Sequence, residues 1–180
     1  MPPADAVPAD AVPADAVPAS AYAAAAAEAI RQAALRYCRG VDRLDEELMR
    51  SAYHDGATDD HGVFSGSAAD LCARVVKSHR RYEATMHCVL NHAIDLVDDS
   101  HATGEIYNVT YLLRPGRQLD TWWGRYLDEY ECRDGRWAIV HRVCVHEWTR
   151  TEPLGDAMPI EAQLFRPGRE DRGVSRHDDR

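Results

Sequence analysis

The sequence contains almost no lysine and no excess of positive charge. Lys77 is the only lysine among 180 residues, and 30 acidic residues outnumber 21 basic ones, giving a formal net charge of −9. A nucleic-acid-binding protein needs a cluster of basic residues on its surface, and neither the charge balance nor any arginine or lysine run provides one. We therefore expect no nucleic-acid partner.

Long apolar runs and paired cysteine motifs are also missing. No segment approaches the roughly 18 apolar residues that a membrane span requires, and proline interrupts the apolar start of the chain every five residues. The five cysteines form no CxxC pair, and their odd number is typical of free thiols in a reducing compartment. These features predict a cytoplasmic protein with no membrane partner.

The usual cofactor motifs are absent as well. No GxGxxG or P-loop sequence occurs, which removes the common nucleotide-binding modules. A dense group of histidines and aspartates at 54–61 matches no standard zinc spacing, and its position after a helix favours a solvated loop. We expect neither a metal nor an organic cofactor.

Low-complexity segments mark both ends of the chain. Residues 3–17 consist of three perfect PADAV repeats, which offer only alanine and valine to bury and carry proline too often for a helix. We expect residues 1–20 to be a disordered tail. Residues 152–180 form an extension that we expect to be largely disordered from about residue 166. One domain remains, at 21–151.

Periodicity within this domain predicts helices first and long strands afterwards. Apolar residues at three- and four-residue steps predict three helices, at about 23–41, 42–53 and 67–83. Four strand-like runs follow, separated by turn sequences, at about 86–97, 103–113, 118–132 and 136–149. This order indicates an α+β fold in which helices pack on a curved antiparallel sheet.

Three side chains in the domain have two possible roles each. Asp42 is either the N-cap of the second helix or a carboxylate directed into a cavity to orient a histidine. His87, among apolar residues on a strand, is either a core histidine or a catalytic base. Arg142 lies between apolar neighbours on the last strand and requires a paired acid or an anionic ligand. Cys88 and Cys144 lack an evident base, so a thiol nucleophile is not expected.

The order and spacing of these residues resemble a known family. Asp42 follows Tyr37 by five positions, Asn91 follows His87 by four, and Asp-Gly-Arg-Trp at 134–137 leads to Arg142. Residues 22–150 thereby resemble the SnoaL-like branch of the nuclear-transport-factor-2-like (NTF2-like) superfamily, which includes hexachlorocyclohexane dehydrochlorinases and bile-acid 7α-dehydratases. The resemblance implies a cone-shaped α+β barrel, in which a strongly bent antiparallel sheet wraps around helices and leaves a deep pocket.

The resemblance also implies roles for individual residues. His87 matches the family's catalytic base, Asp42 the carboxylate that orients it, Tyr37 a catalytic position in the pocket, and Arg142 the pocket arginine. Residues 106–110 contain no acid where the bile-acid enzymes have one, so that role is either unfilled or taken by a phenol or an amide. Three further residues are expected to line the pocket: Asn91, Tyr107 and Cys144.

These parts suit the elimination of a leaving group. A neutral imidazole accepts a proton at neutral pH, and a carboxylate on its other nitrogen fixes the tautomer and stabilises the imidazolium. We therefore expect a cofactor-independent, dehydratase-like lyase with a His-Asp dyad. Its substrate would be a small hydrophobic molecule, and cyclic molecules belong to this class. An isomerase or polyketide-type cyclase would use the same base without losing a group. A non-catalytic ligand-binding module remains the third alternative, because one fold hosts many functions.

The last strand predicts assembly with other copies. Both faces of residues 137–148 are largely apolar, whereas an antiparallel sheet on a monomer normally has one wet face. One face serves the pocket, and a partner subunit would cover the other. Related enzymes with the same dyad are trimers, and other branches are dimers, so we expect a homo-oligomer, with a trimer favoured over a dimer.

Overall fold

The computed structural model describes residues 19–165, together with residues 168 and 172. Its elements in chain order are α1 (Ala19–Arg43), α2 (Glu46–Arg50), β1 (Tyr53–Asp60), β2 (Ser65–Ser67), α3 (Ala68–His79), β3 (Ala84–Leu96), β4 (His101–Arg114), β5 (Gln118–Arg133), β6 (Arg136–Pro153) and a 3₁₀ turn (Ala162–Leu164). Within these residues, no helix is long and apolar enough to cross a membrane. The PADAV repeats and most of 166–180 lie outside the described residues, so the disorder expected there stays a prediction.

The six strands form one curved, unclosed sheet in the order β2-β1-β6-β5-β4-β3. Strands β3 to β6 form the predicted antiparallel meander, and the α+β cone is confirmed. The sheet also contains one parallel pair, because β1 pairs with β6 in parallel, with Asp59 opposite Arg142. This pairing joins segments about eighty residues apart, and a local periodicity cannot predict it.

Helix α1 fills the concave side of this sheet. Its apolar stripe is buried as predicted, with Ile30 and Ala33 fully enclosed and Tyr37 only 2% exposed. The helix continues through Gly40 to Arg43, two residues past the end predicted at about residue 41. It then stops at Leu44, which adopts a left-handed φ of 56°. Asp42 therefore belongs to the last turn of α1.

Gly40 allows α2 to pack directly against α1. A Cβ atom at this position would lie 2.6 Å from both the backbone nitrogen and Cγ of Met49, and 3.0 Å from the carbonyl oxygen of Asp45. Two of these three atoms belong to the backbone and cannot rotate away. The glycine is therefore required by the close approach of the two helices.

We predict that Gly40→Ala destabilises the protein by roughly 1–3 kcal/mol, because overpacking a close contact costs more than the gain in helix propensity. Urea unfolding followed by circular dichroism measures this loss. Arg39→Ala, at the adjacent exposed position of the same helix, serves as the control and should change stability by less than about 0.5 kcal/mol. An unchanged midpoint for Gly40→Ala would contradict the packing argument.

Candidate active site

Asp42 and His87 form a hydrogen-bonded pair between α1 and β3. Nδ1 of His87 lies 2.7 Å from one carboxylate oxygen of Asp42, and the backbone N–H of His87 donates to the other at 2.9 Å. Both side chains are largely enclosed, with 8% of His87 and 14% of Asp42 exposed. Because the carboxylate occupies Nδ1, Nε2 is the ring nitrogen left for a substrate.

Asp42 is not the cap of α2. It lies in the last turn of α1, and the cap is Asp45, whose side chain accepts from the backbone N–H of Leu48 at 2.9 Å. A short loop separates the two aspartates, so the sequence pattern alone did not distinguish them.

A cavity of about 430 Å³ lies between α1, α3 and the concave face of the sheet. Its wall is mainly apolar and aromatic, with Val41, Val75, Leu112, Trp122 and Tyr126 among the lining residues. Tyr37, His87 and Cys144 also line it, so three of the seven predicted site residues meet here. A volume of this size fits a small hydrophobic molecule.

Tyr37 enters the cavity wall as a protonated phenol. Its ring packs edge-on against Tyr53 and Tyr126, at centroid distances of 5.9 and 6.0 Å. Burial raises the pKa of Tyr37 well above its ordinary value, and the nearby carboxylate of Asp59 adds to this effect. The phenol therefore suits hydrogen-bond donation and not proton abstraction.

Arg142 is placed differently from what the resemblance implies. It is fully buried, and its Nε and Nη2 each donate to Asp128 at 2.7 Å. The rings of Tyr126 and Tyr37 lie 4.1 and 4.5 Å from its guanidinium carbon, and Arg142 does not line the cavity. Asp128 thus neutralises the charge of Arg142. The arginine packs against the tyrosines of the cavity wall and does not face a substrate.

Asn91 and Tyr107 also lie away from the cavity. A β-bulge between Val89 and His92 shifts the alternation of β3, so that His87 faces inward but Asn91 is exposed. On β4, Asn108 is buried and Tyr107 is 46% exposed. The prediction that Asn91 and Tyr107 line the pocket assumed that inward and outward side chains alternate along β3 without a break. It also assumed that Tyr107, and not Asn108, faces inward on β4.

The cluster at 54–61 is a strand and not the solvated loop that the sequence favoured. These residues form most of β1, in which Asp59 is 1% exposed. His61 follows directly and lines the cavity. The structure buries Ala57 and Asp59 on either side of the exposed Thr58, but Thr58 and Asp59 are both polar, so no apolar alternation in the sequence indicated a strand.

A further histidine of the cavity wall, His79, has no acidic partner among the residues that the structure describes. Burial, together with the neighbouring His87, lowers the pKa of His79 to about 4. The His79 ring packs edge-on against Tyr82 at 5.5 Å. It is therefore a neutral part of the wall at physiological pH.

Comparison with known proteins agrees with this architecture. A hexachlorocyclohexane dehydrochlorinase from Novosphingobium barchaimii LL02 superposes with a TM-score of 0.69 at 20% identity, covering 79% of this chain and 100% of that one. A scytalone dehydratase-like protein from Novosphingobium aromaticivorans DSM 12444 gives 0.67 at 18% identity, covering 79% and 97%. At these identities the likeness establishes the fold alone. No curated protein matches the sequence significantly.

The sequence itself matches one family model. The SnoaL-like domain aligns with residues 23–143, which cover most of α1, the other two helices, the first five strands and the first part of β6. The match thus includes both Asp42 and His87 and covers well over half of the chain. The chain therefore belongs to the SnoaL-like family.

Proposed function

We propose that this protein is a cofactor-independent lyase that eliminates water from a small hydrophobic molecule, cyclic molecules included. The observation that carries the proposal is the Asp42–His87 pair, in which a carboxylate holds Nδ1 at 2.7 Å while the ring borders an apolar cavity. Membership of the SnoaL-like family, together with dehydrochlorinase and dehydratase-like structural neighbours, supports a lyase or isomerase type of small-molecule enzyme.

In this proposal Nε2 of His87 removes a proton from a substrate carbon. The electrons of the C–H bond form a double bond, and the oxygen on the neighbouring carbon leaves. Asp42 keeps the proton of the neutral imidazole on Nδ1, so that Nε2 carries the lone pair, and then stabilises the imidazolium. Tyr37 donates a hydrogen bond to a carbonyl or enolate oxygen of the substrate.

Arg142 acts through the cavity wall in this scheme. Its guanidinium stacks on Tyr37 and Tyr126, so it holds the phenol of Tyr37 in place and is a positioning residue. Asn91 and Tyr107 have no role in the proposal, because both side chains are exposed away from the cavity.

The test is a screen of hydroxylated steroids, terpenoids and polyketides for loss of water, read by mass spectrometry. His87→Ala should remove the activity. His101→Ala is the matched control, because His101 forms a similar pair with Asp98 at 3.0 Å on an exposed turn. An isomerised product of unchanged mass would instead identify an isomerase or cyclase. Saturable binding without turnover would identify a ligand-binding module.

We also propose that the protein is a homo-oligomer. Trp123 and Trp148 stack with centroids 4.2 Å apart, and a β-bulge between β5 and β6 at this point turns Trp148 away from the cavity. Trp148 is 57% exposed, with Tyr107 and Leu127 also exposed on the sheet. Aromatic residues of this kind are enriched in the cores of subunit interfaces.

Light scattering of the full chain tests the assembly. We expect the mass of a trimer of the 20.2 kDa chain. A mass twice that of the chain would instead identify a dimer. Trp148→Glu should shift the population toward monomer, because a buried charge at an interface has no partner there. A single monomeric species for the unaltered protein at micromolar concentration would refute the proposal.

A further inference from the structure

A second histidine–aspartate pair lies in the same cavity. Nδ1 of His61 is 2.7 Å from one carboxylate oxygen of Asp59, and the hydroxyl of Tyr53 donates to the other at 2.6 Å. The Asp59 side chain is completely buried, and 21% of the His61 side chain is exposed. The carboxylate thus fixes the His61 ring by Nδ1 and leaves Nε2 available, as Asp42 does for His87.

The two pairs reach the cavity from different parts of the sheet. His87 lies on β3, the edge strand at one end, whereas His61 follows β1, which lies next to the edge strand at the other end. Both histidines nevertheless line the same cavity of about 430 Å³. A molecule that fills this cavity would therefore contact both of them.

The surroundings of His61 favour its cationic form. Groups from four elements approach the ring: Asp59 on β1, Cys144 on β6, Tyr37 on α1 and Tyr126 on β5. Burial lowers the pKa of His61, but the hydrogen bond to Asp59, together with the nearby Cys144, outweighs it and raises the pKa to about 9. Among the described residues no carboxylate pairs with His79 in the same wall, and burial keeps that ring neutral. Two titratable groups with different surroundings in one cavity suit opposite roles as acid and base.

We propose that His61 is the proton donor of this site and protonates the hydroxyl group that leaves the substrate. This inference rests on the proposed function and defines the substrate class as β-hydroxy carbonyl compounds, whose leaving group departs as water. His87 takes the proton from the α-carbon, the C–H electrons form the C=C bond, and the C–O bond breaks. The oxygen keeps the C–O electrons and receives the proton from Nε2 of His61.

The step balances without another reactant. Its products are the unsaturated carbonyl compound, water, an imidazolium at His87 and a neutral imidazole at His61. Transfer of one proton from His87 to His61 through solvent water restores the starting state. Asp59 stays ionised throughout and stabilises the cation at His61 before the reaction.

The experiment compares two leaving groups. The probes are 4-hydroxy-4-phenylbutan-2-one and its analogue with 4-nitrophenoxide in place of the hydroxyl, because 4-nitrophenoxide leaves without protonation. His61→Gln should slow the loss of water by about 10²–10³-fold and change the loss of 4-nitrophenoxide by less than about threefold. His101→Gln, on an exposed turn, should leave both rates unchanged. An equal decrease in rate with both probes, or no decrease in rate with the hydroxy ketone, would overturn the assignment.

A spectroscopic measurement tests the donor independently of turnover. Ring-nitrogen chemical shifts of isotope-labelled full-length protein should show His61 as an imidazolium at about pH 7.5. Asp59→Asn should convert it to the neutral ring. A neutral His61 in the unaltered protein would overturn the proposal even if elimination is observed. Conversely, a cationic His61 together with full activity in His87→Gln would contradict the proposed base and leave the second pair intact.

The thiol of Cys144 provides the remaining check. It lines the cavity with His61, and a histidine can also activate a thiol as a nucleophile. Mass spectrometry of the full-length protein after turnover of 4-hydroxy-4-phenylbutan-2-one should show no covalent adduct on Cys144. An adduct that forms during turnover would assign His61 to the thiol and overturn its role as the acid.

Discussion

Replacing Asp42 by asparagine is expected to reduce the turnover of the proposed elimination by about 10³–10⁴-fold with little loss of stability. The two residues have the same shape, so the cavity stays intact. The reason lies in the two hydrogen bonds that Asp42 accepts. One oxygen faces the backbone N–H of His87, and the other faces Nδ1 of the same residue.

Asparagine can accept only one of these bonds. The backbone N–H always carries its hydrogen, so the amide oxygen turns toward it and the amide N–H₂ faces Nδ1. Nδ1 must then be an acceptor, which moves the ring proton of His87 to Nε2. The nitrogen that should remove the substrate proton is thereby already protonated.

Single-turnover rates of Asp42→Asn, with the substrate identified by the screen, measure this effect. Asp45→Asn is the matched control, since Asp45 caps α2 through Leu48 and asparagine is an equally good N-cap. Its rate should stay within about twofold of the unaltered protein. A rate for Asp42→Asn within about tenfold of the unaltered enzyme would show that the tautomer of His87 does not limit the reaction.

Much of the architecture was predictable because it depends on local patterns. The stripe of α1 follows from helical periodicity, and the hairpin of β5 and β6 follows from Asp134-Gly135. These residues have φ values of 52° and 75°, as a two-residue type I′ turn requires. The family resemblance implied the pairing of Asp42 with His87. The two side chains lie 2.7 Å apart, and the catalytic role of the pair stays a prediction.

The features that the sequence did not predict depend on long-range contacts. Because β1 pairs in parallel with β6, residues whose sequence suggests a loop form a strand instead, and Asp59 is buried. The bulge in β3 turns Asn91 outward. The acid that pairs with Arg142 is Asp128, fourteen residues earlier on the neighbouring strand, and their register decides the pairing. None of these contacts has a signature within one segment.

The ion pair of Arg142 and Asp128 leads to the largest stability effect. We expect Asp128→Asn to destabilise the protein by about 3–5 kcal/mol and to lower Tm by roughly 10 °C. Both side chains are completely buried, so the variant leaves a guanidinium without a counter-charge in the core. Tyr130 also donates to Asp128 at 2.6 Å and keeps an acceptor in asparagine, whereas the amide NH₂ then faces Nε of Arg142. The loss therefore reports on the charge together with that one hydrogen bond.

An exposed pair of the same chemistry provides the control. Arg125 pairs with Glu105 and Glu147 on the sheet surface, where 38% and 46% of the two glutamate side chains are exposed. Glu105→Gln should cost less than about 1 kcal/mol, because water already screens that pair. Thermal unfolding of both variants by circular dichroism gives the comparison. Similar losses would mean that burial does not set the cost at Asp128.

A double variant separates charge from packing. In Asp128→Leu/Arg142→Met both charges are removed and the core stays filled, so the protein should be more stable than Asp128→Asn, because no unpaired ion remains. Its catalytic rate should still fall, since Tyr37 and Tyr126 lose the guanidinium on which they stack. Restored stability with reduced turnover would thus identify Arg142 as the residue that positions the Tyr37 wall. Restored stability with full turnover would contradict that role.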